Sequence, residues 1–290
     1  MLRHPLITPA ELAARLAGGP GDAPLILDVR WQLGADAGYD DYLQGHLPGA
    51  VFVDLERDLS GARTEDGSGG RHPMPTVDDF ELDMAECGVD NDRLVVVYDD
   101  FGSLAAARAW WLLRHFGKYD VQVLDGGIQA WRAERLPIES GLRMIEEGDF
   151  SIRRSRINVL DAEQAALYAK EGLLIDGRPA DRFRGENEII DPVAGHIPGA
   201  VSVPARSLVD AHGRFLPAEQ LREVLGAAGI DGSVPVATYC GSGVQASHLA
   251  LAIAVAGIDV EVPVYIGSWS DWISDASRPV QVETPAESAS

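Results

Sequence analysis

Short apolar runs alternate along the chain with segments in which apolar residues recur every three or four positions. The runs are nearly continuous and rich in β-branched residues, which is typical of strands buried on both faces of a parallel sheet. In the first half the pattern predicts strands over Leu25–Val29, Val51–Val53, Leu94–Tyr98 and Val121–Leu124. The three- and four-residue spacing predicts helices over Asp78–Cys87 and Leu104–Phe116. This alternation indicates an α/β fold in which parallel sheets are flanked by helices.

The chain repeats itself, and the repeat sets the number of domains. The turn Gly45–Ala50 (GHLPGA) returns as Gly195–Ala200 (GHIPGA). Further on, Asp99 matches Cys240 at a shorter offset, so the first half carries a net insertion between these points. The glycine-rich stretch Ser60–Gly70 is the candidate for that insertion. Two homologous domains follow.

We assign the first domain to residues 1–145 and the second to residues 146–282. The polar, charge-rich segment 139–158 is interpreted as a partly extended connector. Residues 283–290 (ETPAESAS) are predicted to be a disordered tail. The strand that precedes Cys240 is predicted over Val234–Tyr239, and a helix is predicted to begin at Val244.

The amino-acid composition excludes several classes of function for this chain. Asp and Glu number 45 against 24 Lys and Arg, giving a formal net charge of −21. Such an acidic surface argues against nonspecific binding to nucleic acid or to an anionic membrane. No apolar run approaches the roughly 20 residues of a membrane span, and no secretory signal is visible at the N-terminus. Two cysteines are too few for a disulfide scaffold, so we expect a cytoplasmic protein.

The two halves differ where parallel sheets usually carry their chemistry. Residues 99–102 (DDFG) in the first half correspond to residues 240–243 (CGSG) in the second, each between a strand and a helix. The carboxyl end of a parallel strand is a ligand-binding position, and the helix N-terminus beyond it stabilises an anion. Gly241 and Gly243 allow a tight loop whose N–H groups surround the sulfur. Cys240 is therefore predicted to be a nucleophilic thiolate.

Cys87 provides a contrast within the same chain. Free cysteines are commonly small, buried packing residues. Cys87 lies in a predicted helix beside Gly88, where the second half has Ala228. We therefore interpret Cys87 as structural.

The Cys-Gly-Ser-Gly-Val loop, together with the duplicated Gly-His-[Leu/Ile]-Pro-Gly-Ala turn, resembles the two-domain rhodanese sulfurtransferases. The resemblance extends from Asp28 to about Trp272. It implies two tandem rhodanese-like domains, the first of them catalytically inactive because Asp99 stands in place of the cysteine. It also implies that Cys240 takes sulfur from a small anionic donor and holds it as a persulfide. The acceptor would be a thiol, cyanide or a thioredoxin-like protein.

The resemblance implies donor-binding residues around the cysteine. Arg182 matches a family arginine that binds the anionic end of the donor, and Arg184 is a second candidate. Four loop residues would stabilise the charged sulfur or contact the donor: Gly241, Gly243, Val244 and Gln245.

A proton relay is also implied. Ser242, His72 and Asp54 match residues that reach the active cleft in mercaptopyruvate-type members, where a Ser-His-Asp relay would protonate the departing enolate. Ser242 has the alternative role of a helix-capping hydroxyl. The loop type favours 3-mercaptopyruvate as donor, but residues 189–191 (IID) lack the second arginine usual in those enzymes. The donor therefore stays open between 3-mercaptopyruvate and thiosulfate.

Polar residues that both halves share are predicted to maintain the fold. His46 and His196 occupy the duplicated turns, where their side chains would bond backbone groups. The segments Asp28–Arg30 and Asp176–Arg178 are likewise duplicated. His248 is assigned to a helix surface. No grouping of His, Cys and Asp has the spacing of a metal site, so neither a metal nor another cofactor is expected.

Two other functions remain as alternatives. A phosphatase or arsenate reductase on this fold would need a longer loop ending in an arginine, and the chain has Ala246 six residues after Cys240. A sulfur-relay or binding module would instead pass sulfur to a partner protein without turning over small donors, and an acidic surface suits a basic partner. Because the duplication already supplies a two-domain cleft, a monomer is the expected state.

Overall fold

The computed structural model describes residues 3–19, 21, 23–35, 37–153 and 157–283. Most of the predicted tail, residues 284–290, lies outside these ranges. In the first half the elements are β1 (Leu6–Ile7), α1 (Pro9–Ala17), β2 (Leu25–Asp28), α2 (Gly38–Gln44), β3 (Ala50–Phe52), α3 (Val77–Glu86), β4 (Val95–Tyr98), α4 (Leu104–His115), β5 (Val121–Leu124) and α5 (Gly127–Ala133).

In the second half they are α6 (Ala162–Glu171), β6 (Leu173–Asp176), α7 (Ala180–Arg184), β7 (Val201–Ser202), a short 3-10 helix (Ala205–Leu208), α8 (Ala218–Ala227), β8 (Val236–Tyr239), α9 (Val244–Val255) and α10 (Ser268–Trp272). The strands and helices that we predicted are present, with their ends shifted by one or two residues. The connector after Glu139 forms no helix or strand in its described part apart from a bridge between Glu139 and His46.

Each half folds around a parallel sheet with the same strand order. The first sheet runs β1-β5-β4-β2-β3. The second runs β7-β6-β8 and is extended by single parallel bridges that place Val264 beside Thr238 and Val159 beside Val264. These bridges occupy the positions of β5 and β1 in the first sheet. The α/β fold with two parallel sheets flanked by helices is confirmed.

A buried ion pair lies at the carboxyl end of β2 in the first domain and of β6 in the second. Arg30 Nη2 lies 2.8 Å from Asp28 Oδ2 and also donates to the carbonyl oxygen of Gly45. Asp176 and Arg178 repeat the pair at 2.6 Å, with both side chains fully buried. Because each arginine also donates to the carbonyl oxygen of the glycine that begins the Gly-His turn, each pair ties a strand to its turn, as expected of fold-maintaining residues.

The turn histidines also bond backbone, as predicted. His46 Nδ1 lies 2.8 Å from the carbonyl oxygen of Tyr42, and His196 Nδ1 lies 2.7 Å from that of Phe183. Each imidazole stacks on the aromatic ring of the same residue. Each histidine therefore ties its turn to the helix that precedes it, α2 in the first half and α7 in the second.

The two halves meet along α4 and α9, the helices that follow Asp99 and Cys240. Most residues of both helices are buried. The assignment of His248 to a helix surface is wrong: this residue of α9 is fully buried, and its ring stacks on Phe215 at 4.7 Å. A helix apolar on all sides is buried on all sides, and here the facing domain covers the side that an isolated domain would expose. Within the described residues, no helix has both the length and the apolar composition required to cross a membrane.

Candidate active site

Cys240 begins the loop that joins β8 to α9. Its side chain is 1% exposed, and its Sγ accepts a hydrogen bond from the N–H of Gly243 at 3.2 Å. Gly243 has φ +84°, and a Cβ there would lie 2.7 Å from the carbonyl oxygen of Ile266. Only glycine fits this position, and its presence allows the loop to close around the sulfur.

In the first half the corresponding loop holds a carboxylate. The oxygens of Asp99 accept hydrogen bonds of 2.9 to 3.0 Å from the backbone N–H groups of Phe101, Ser103, Ala105 and Ala106. Burial raises the pKa of Asp99, and these four hydrogen bonds oppose the rise. In the repeat, the matching residues after Cys240 are Ser242, Val244, Ala246 and Ser247. The first domain thus demonstrates that this strand–loop–helix geometry accommodates an anion.

Arg108 adds a positive charge that the sequence analysis missed. This residue of α4 is fully buried, and its Nη2 donates to the carbonyl oxygens of Leu59, His72 and Pro73. Its Nη1 has no hydrogen-bond partner among the described residues and lies 2.8 Å from the position that a Cβ on Gly243 would take. Burial lowers the pKa of Arg108 to about 10, and negative charge on Cys240 opposes this. The guanidinium therefore stays positive at neutral pH and favours an anion in the loop. The available signal was an arginine in the otherwise apolar stretch 104–113 (LAAARAWWLL) of this helix.

Ser268 is a second residue that the sequence analysis did not identify. It has φ +55°, a left-handed conformation uncommon outside glycine, and its counterpart in the first half is Gly127. Its Oγ accepts the N–H of Cys240 at 3.1 Å and donates to the carbonyl oxygen of Tyr265. The hydroxyl thus fixes the backbone of Cys240. In the sequence, the replacement of Gly127 by Ser268 between the two halves could have pointed to this residue.

The predicted hydrogen bond between His72 and Ser242 is present. His72 is fully buried, and its Nδ1 lies 2.8 Å from Ser242 Oγ. Its Nε2 lies 2.9 Å from Glu56 Oε1. Burial lowers the pKa of His72 from 6.5 to about 4, although Glu56 opposes this. Because a carboxylate only accepts, the neutral ring carries its proton on Nε2, and Nδ1 accepts the hydroxyl proton of Ser242.

The expected partnership of Asp54 with His72 is wrong. Asp54 Oδ1 accepts the backbone N–H groups of Glu56 at 2.8 Å and Arg57 at 3.3 Å, so its carboxylate is used inside its own turn. Glu56 reaches the imidazole instead. The chain turns sharply after β3, and which carboxylate of such a turn faces the cleft depends on this local bonding.

The two predicted arginines occupy different places. Arg182 is 7% exposed, binds Glu188 and Asp191 and lines the cavity beside Cys240. Arg184 is partly exposed, pairs with Glu186 at 2.7 Å and is not among the residues that line this cavity. Its predicted contact with a donor is therefore not supported, whereas Arg71, which the sequence analysis missed, lines the cavity and pairs with Asp191.

The cavity has a volume of about 410 Å³, and Cys240 contributes to its lining. Of the four predicted loop residues, Gly241, Val244 and Gln245 line it, whereas Gly243 does not and shapes the loop instead. Apolar side chains including Phe101 complete the wall. Within the described ranges, no group of three or more His, Cys, Asp or Glu residues is arranged to hold a metal ion.

Cys87 has a different environment. It lies at the C-terminal end of α3 and is buried, and burial raises the pKa of its thiol to about 12. The thiol is therefore protonated and unreactive at neutral pH.

Comparisons with known proteins agree with this duplicated geometry. The sequence model of the family described as "Rhodanese-like domain" matches residues 8–134 and 160–275. The putative thiosulfate sulfurtransferase SseB of Mycobacterium tuberculosis is 45% identical over 280 residues, covering 95% of this chain and 96% of the relative. A probable 3-mercaptopyruvate sulfurtransferase of Pseudomonas aeruginosa is 44% identical over 286 residues, covering 95% and 97%. The crystal structure of the 3-mercaptopyruvate sulfotransferase SseA from Escherichia coli superposes with a TM-score of 0.79 at 32% identity, covering 92% of this chain and 99% of that one.

The buried neutral His72 predicts a pH-dependent stability. Unfolded His72 titrates near 6.5 and folded His72 near 4, so unfolding takes up a proton between these values and stability falls as the pH drops from 6.5 to 4. Replacing His72 with Gln should reduce the slope of the unfolding free energy against pH by up to about 1.4 kcal/mol per pH unit. Urea unfolding at several pH values measures this, with the exposed His212→Gln as control. Equal slopes in the wild type and His72→Gln would contradict the assignment.

Proposed function

The chain belongs to the rhodanese-like domain family and is a sulfurtransferase, and from this premise we propose that Cys240 carries the transferred sulfur as a persulfide. The observation that carries the proposal is the pair of equivalent loops, one holding the Asp99 carboxylate on four N–H groups and the other holding Cys240. The first domain is non-catalytic in this proposal because Asp99 has no nucleophilic sulfur. It contributes Arg108 and His72 to the site of the second domain.

The first half-reaction loads the cysteine. The Cys240 thiolate attacks the transferable sulfur of the donor, which is the thiol sulfur of 3-mercaptopyruvate or the outer sulfur of thiosulfate, and forms a sulfur–sulfur bond. With 3-mercaptopyruvate the carbon–sulfur bond breaks, and its electron pair leaves as the enolate of pyruvate. With thiosulfate the sulfur–sulfur bond breaks, and sulfite leaves with the pair. The loop N–H groups and Arg108 then face the charged outer sulfur.

The two donors differ in their need for a proton. The pyruvate enolate must gain a proton at carbon, and the thiol group of 3-mercaptopyruvate must lose one. Ser242 and His72 can transfer a proton between these two groups. His72 Nδ1 accepts a hydrogen bond from the Ser242 hydroxyl, and Glu56 binds Nε2 on the opposite side of the ring. Sulfite departure requires no proton. The Ser242–His72–Glu56 arrangement therefore favours 3-mercaptopyruvate as donor, with thiosulfate as the second candidate.

The second half-reaction discharges the persulfide. An acceptor thiolate, cyanide or a thioredoxin-like protein attacks the outer sulfur, and the bonding pair returns to Cys240 as thiolate. A reducing compartment such as the cytoplasm suits this chemistry, because both cysteines are free. A monomer is the proposed state, since the duplication supplies both domains of the cleft within one chain. The alternative of a sulfur-relay module is not favoured, since the relatives are named as sulfurtransferases.

Sulfur loading of one defined cysteine tests the proposal. Incubation with thiosulfate or 3-mercaptopyruvate, without acceptor, should add one sulfur atom to the wild type and to Cys87→Ala, and none to Cys240→Ser. Intact-mass measurement and peptide mapping locate the added atom, with circular dichroism as the check of folding. A folded wild-type protein that takes up no sulfur, or a Cys240→Ser variant that still does, would refute it.

The choice of Glu56 over Asp54 as relay carboxylate predicts a donor-specific defect. Glu56→Gln should lower kcat with 3-mercaptopyruvate by about a hundredfold, since the ring of His72 loses the carboxylate charge that stabilises it when it takes up a proton. Turnover of thiosulfate should change little. Asp54→Asn, which keeps an oxygen for the turn N–H groups, is the matched control and should affect neither donor strongly. The same loss with both donors, or a larger loss in Asp54→Asn, would be inconsistent with this relay.

A further inference from the structure

Two of the six tryptophans have an indole N–H without a hydrogen-bond acceptor among the described residues. The other four donate to a carboxylate or a carbonyl oxygen, and they are Trp31, Trp131, Trp269 and Trp272. The two exceptions are neighbours in α4, Trp110 and Trp111, which are 3% and 1% exposed. An indole nitrogen can only donate, and a buried donor without an acceptor is costly. A pair of them in one place points to a missing acceptor.

Trp110 and Trp111 line a second cavity, where the C-terminal halves of α4 and α9 meet. Its volume is about 510 Å³, and sites for small molecules measure roughly 300 to 1,000 Å³. Arg114 Nε and the Tyr119 hydroxyl belong to the same lining, and both are buried without a partner in the part of the chain that the structure describes. Four unused polar groups therefore border one space. The cavity shares no lining residue with the one beside Cys240.

The rest of the lining combines apolar side chains with charges of both signs. The apolar residues are Ile157, Ala250, Ala254, Val260 and Val262. Arg114 Cζ lies 4.9 Å from the centre of the Trp110 ring and 5.6 Å from that of Tyr119, so the guanidinium covers both aromatic faces. Asp259 and Glu261 are exposed and line the same cavity. These two carboxylates, in a chain of net charge −21, disfavour a ligand with a net negative charge.

We propose that this cavity binds a small aromatic molecule that carries both a carboxylate and an ammonium group. The carboxylate pairs with Arg114 and accepts hydrogen bonds from the unused indole N–H groups. The aromatic ring takes the place of the guanidinium against Trp110 and Tyr119, and the ammonium group faces Asp259 and Glu261. Because the unused donors are shielded from water in the free protein, the Arg114 side chain turns aside on binding. The proposal does not depend on sulfur transfer.

The six indole N–H signals of the protein labelled with ¹⁵N in tryptophan test the proposal directly. Trp110→Phe and Trp111→Phe, which each keep an aromatic ring, identify two of these signals. L-Phenylalanine should move those two signals to lower field, because their N–H groups gain an acceptor, and should leave the other four in place. 3-Phenylpropanoate lacks the ammonium group and 2-phenylethylamine lacks the carboxylate. Each should bind about tenfold more weakly, the usual scale for losing one charge-assisted interaction.

Arg114→Gln tests the contribution of the guanidinium and does not require either tryptophan variant to fold. It should weaken binding of L-phenylalanine about tenfold and should change binding of 2-phenylethylamine little, since the amine has no carboxylate to pair. Arg184→Gln removes a partly exposed arginine of α7 outside this cavity and is the matched control, which should leave both affinities unchanged. Circular dichroism checks that each variant is folded.

Three results would overturn the inference. The first is that no indole signal moves with any of the three compounds, and the second is that all six signals move alike. The third is movement of the Trp31 signal alone, which would place the ligand in the cavity beside Cys240. An affinity for L-phenylalanine that is the same in Arg114→Gln and in the wild type would contradict the role of the guanidinium in the same way.

Discussion

Backbone N–H groups in the loop after the central strand need a hydrogen-bond acceptor, and the residue that follows this strand supplies it in both domains. Such donors are costly to bury without a partner. In the first domain the side-chain oxygens of Asp99 accept four of these hydrogen bonds. In the second domain the corresponding residue is Cys240, a group that is negative only as thiolate or persulfide. One loop geometry therefore holds a carboxylate in one half and, in the proposed function, a reactive cysteine in the other.

Polar groups of the first domain complete the site in the second. Arg108 brings toward Gly243 an Nη1 group that has no hydrogen-bond partner in the described part of the chain, and His72 bonds Ser242. Both are tied together, because Arg108 donates to the carbonyl oxygen of His72. The packing of α4 on α9 places these groups at the cysteine loop. In the proposed mechanism the first domain is therefore required for the chemistry, although Asp99 stands in place of the cysteine in its own loop.

The internal repeat and the local hydrophobic pattern made the fold and the position of the candidate nucleophile, Cys240, predictable. The strands are apolar and β-branched, so their positions follow from the sequence within a residue or two, and the Asp99–Cys240 difference stands out once the halves are aligned. Contacts made around turns were not predictable in the same way. Asp54 and Glu56 are chemically alike, and only the backbone bonds of Asp54 leave Glu56 to face His72. Arg71 escaped notice because its partner Asp191 lies 120 residues away in the chain. His248 was misassigned because its helix is covered by the other domain.

The most direct test of this account is a crystal structure of the protein after loading with sulfur in the absence of acceptor. We expect one additional sulfur atom bonded to Cys240 Sγ, directed into the loop and within hydrogen-bond distance of the backbone N–H groups of Val244 and Ala246, the counterparts of two groups that hold Asp99. An added sulfur directed away from the loop, or one held by side chains alone, would contradict the claim that the loop is built for an anion.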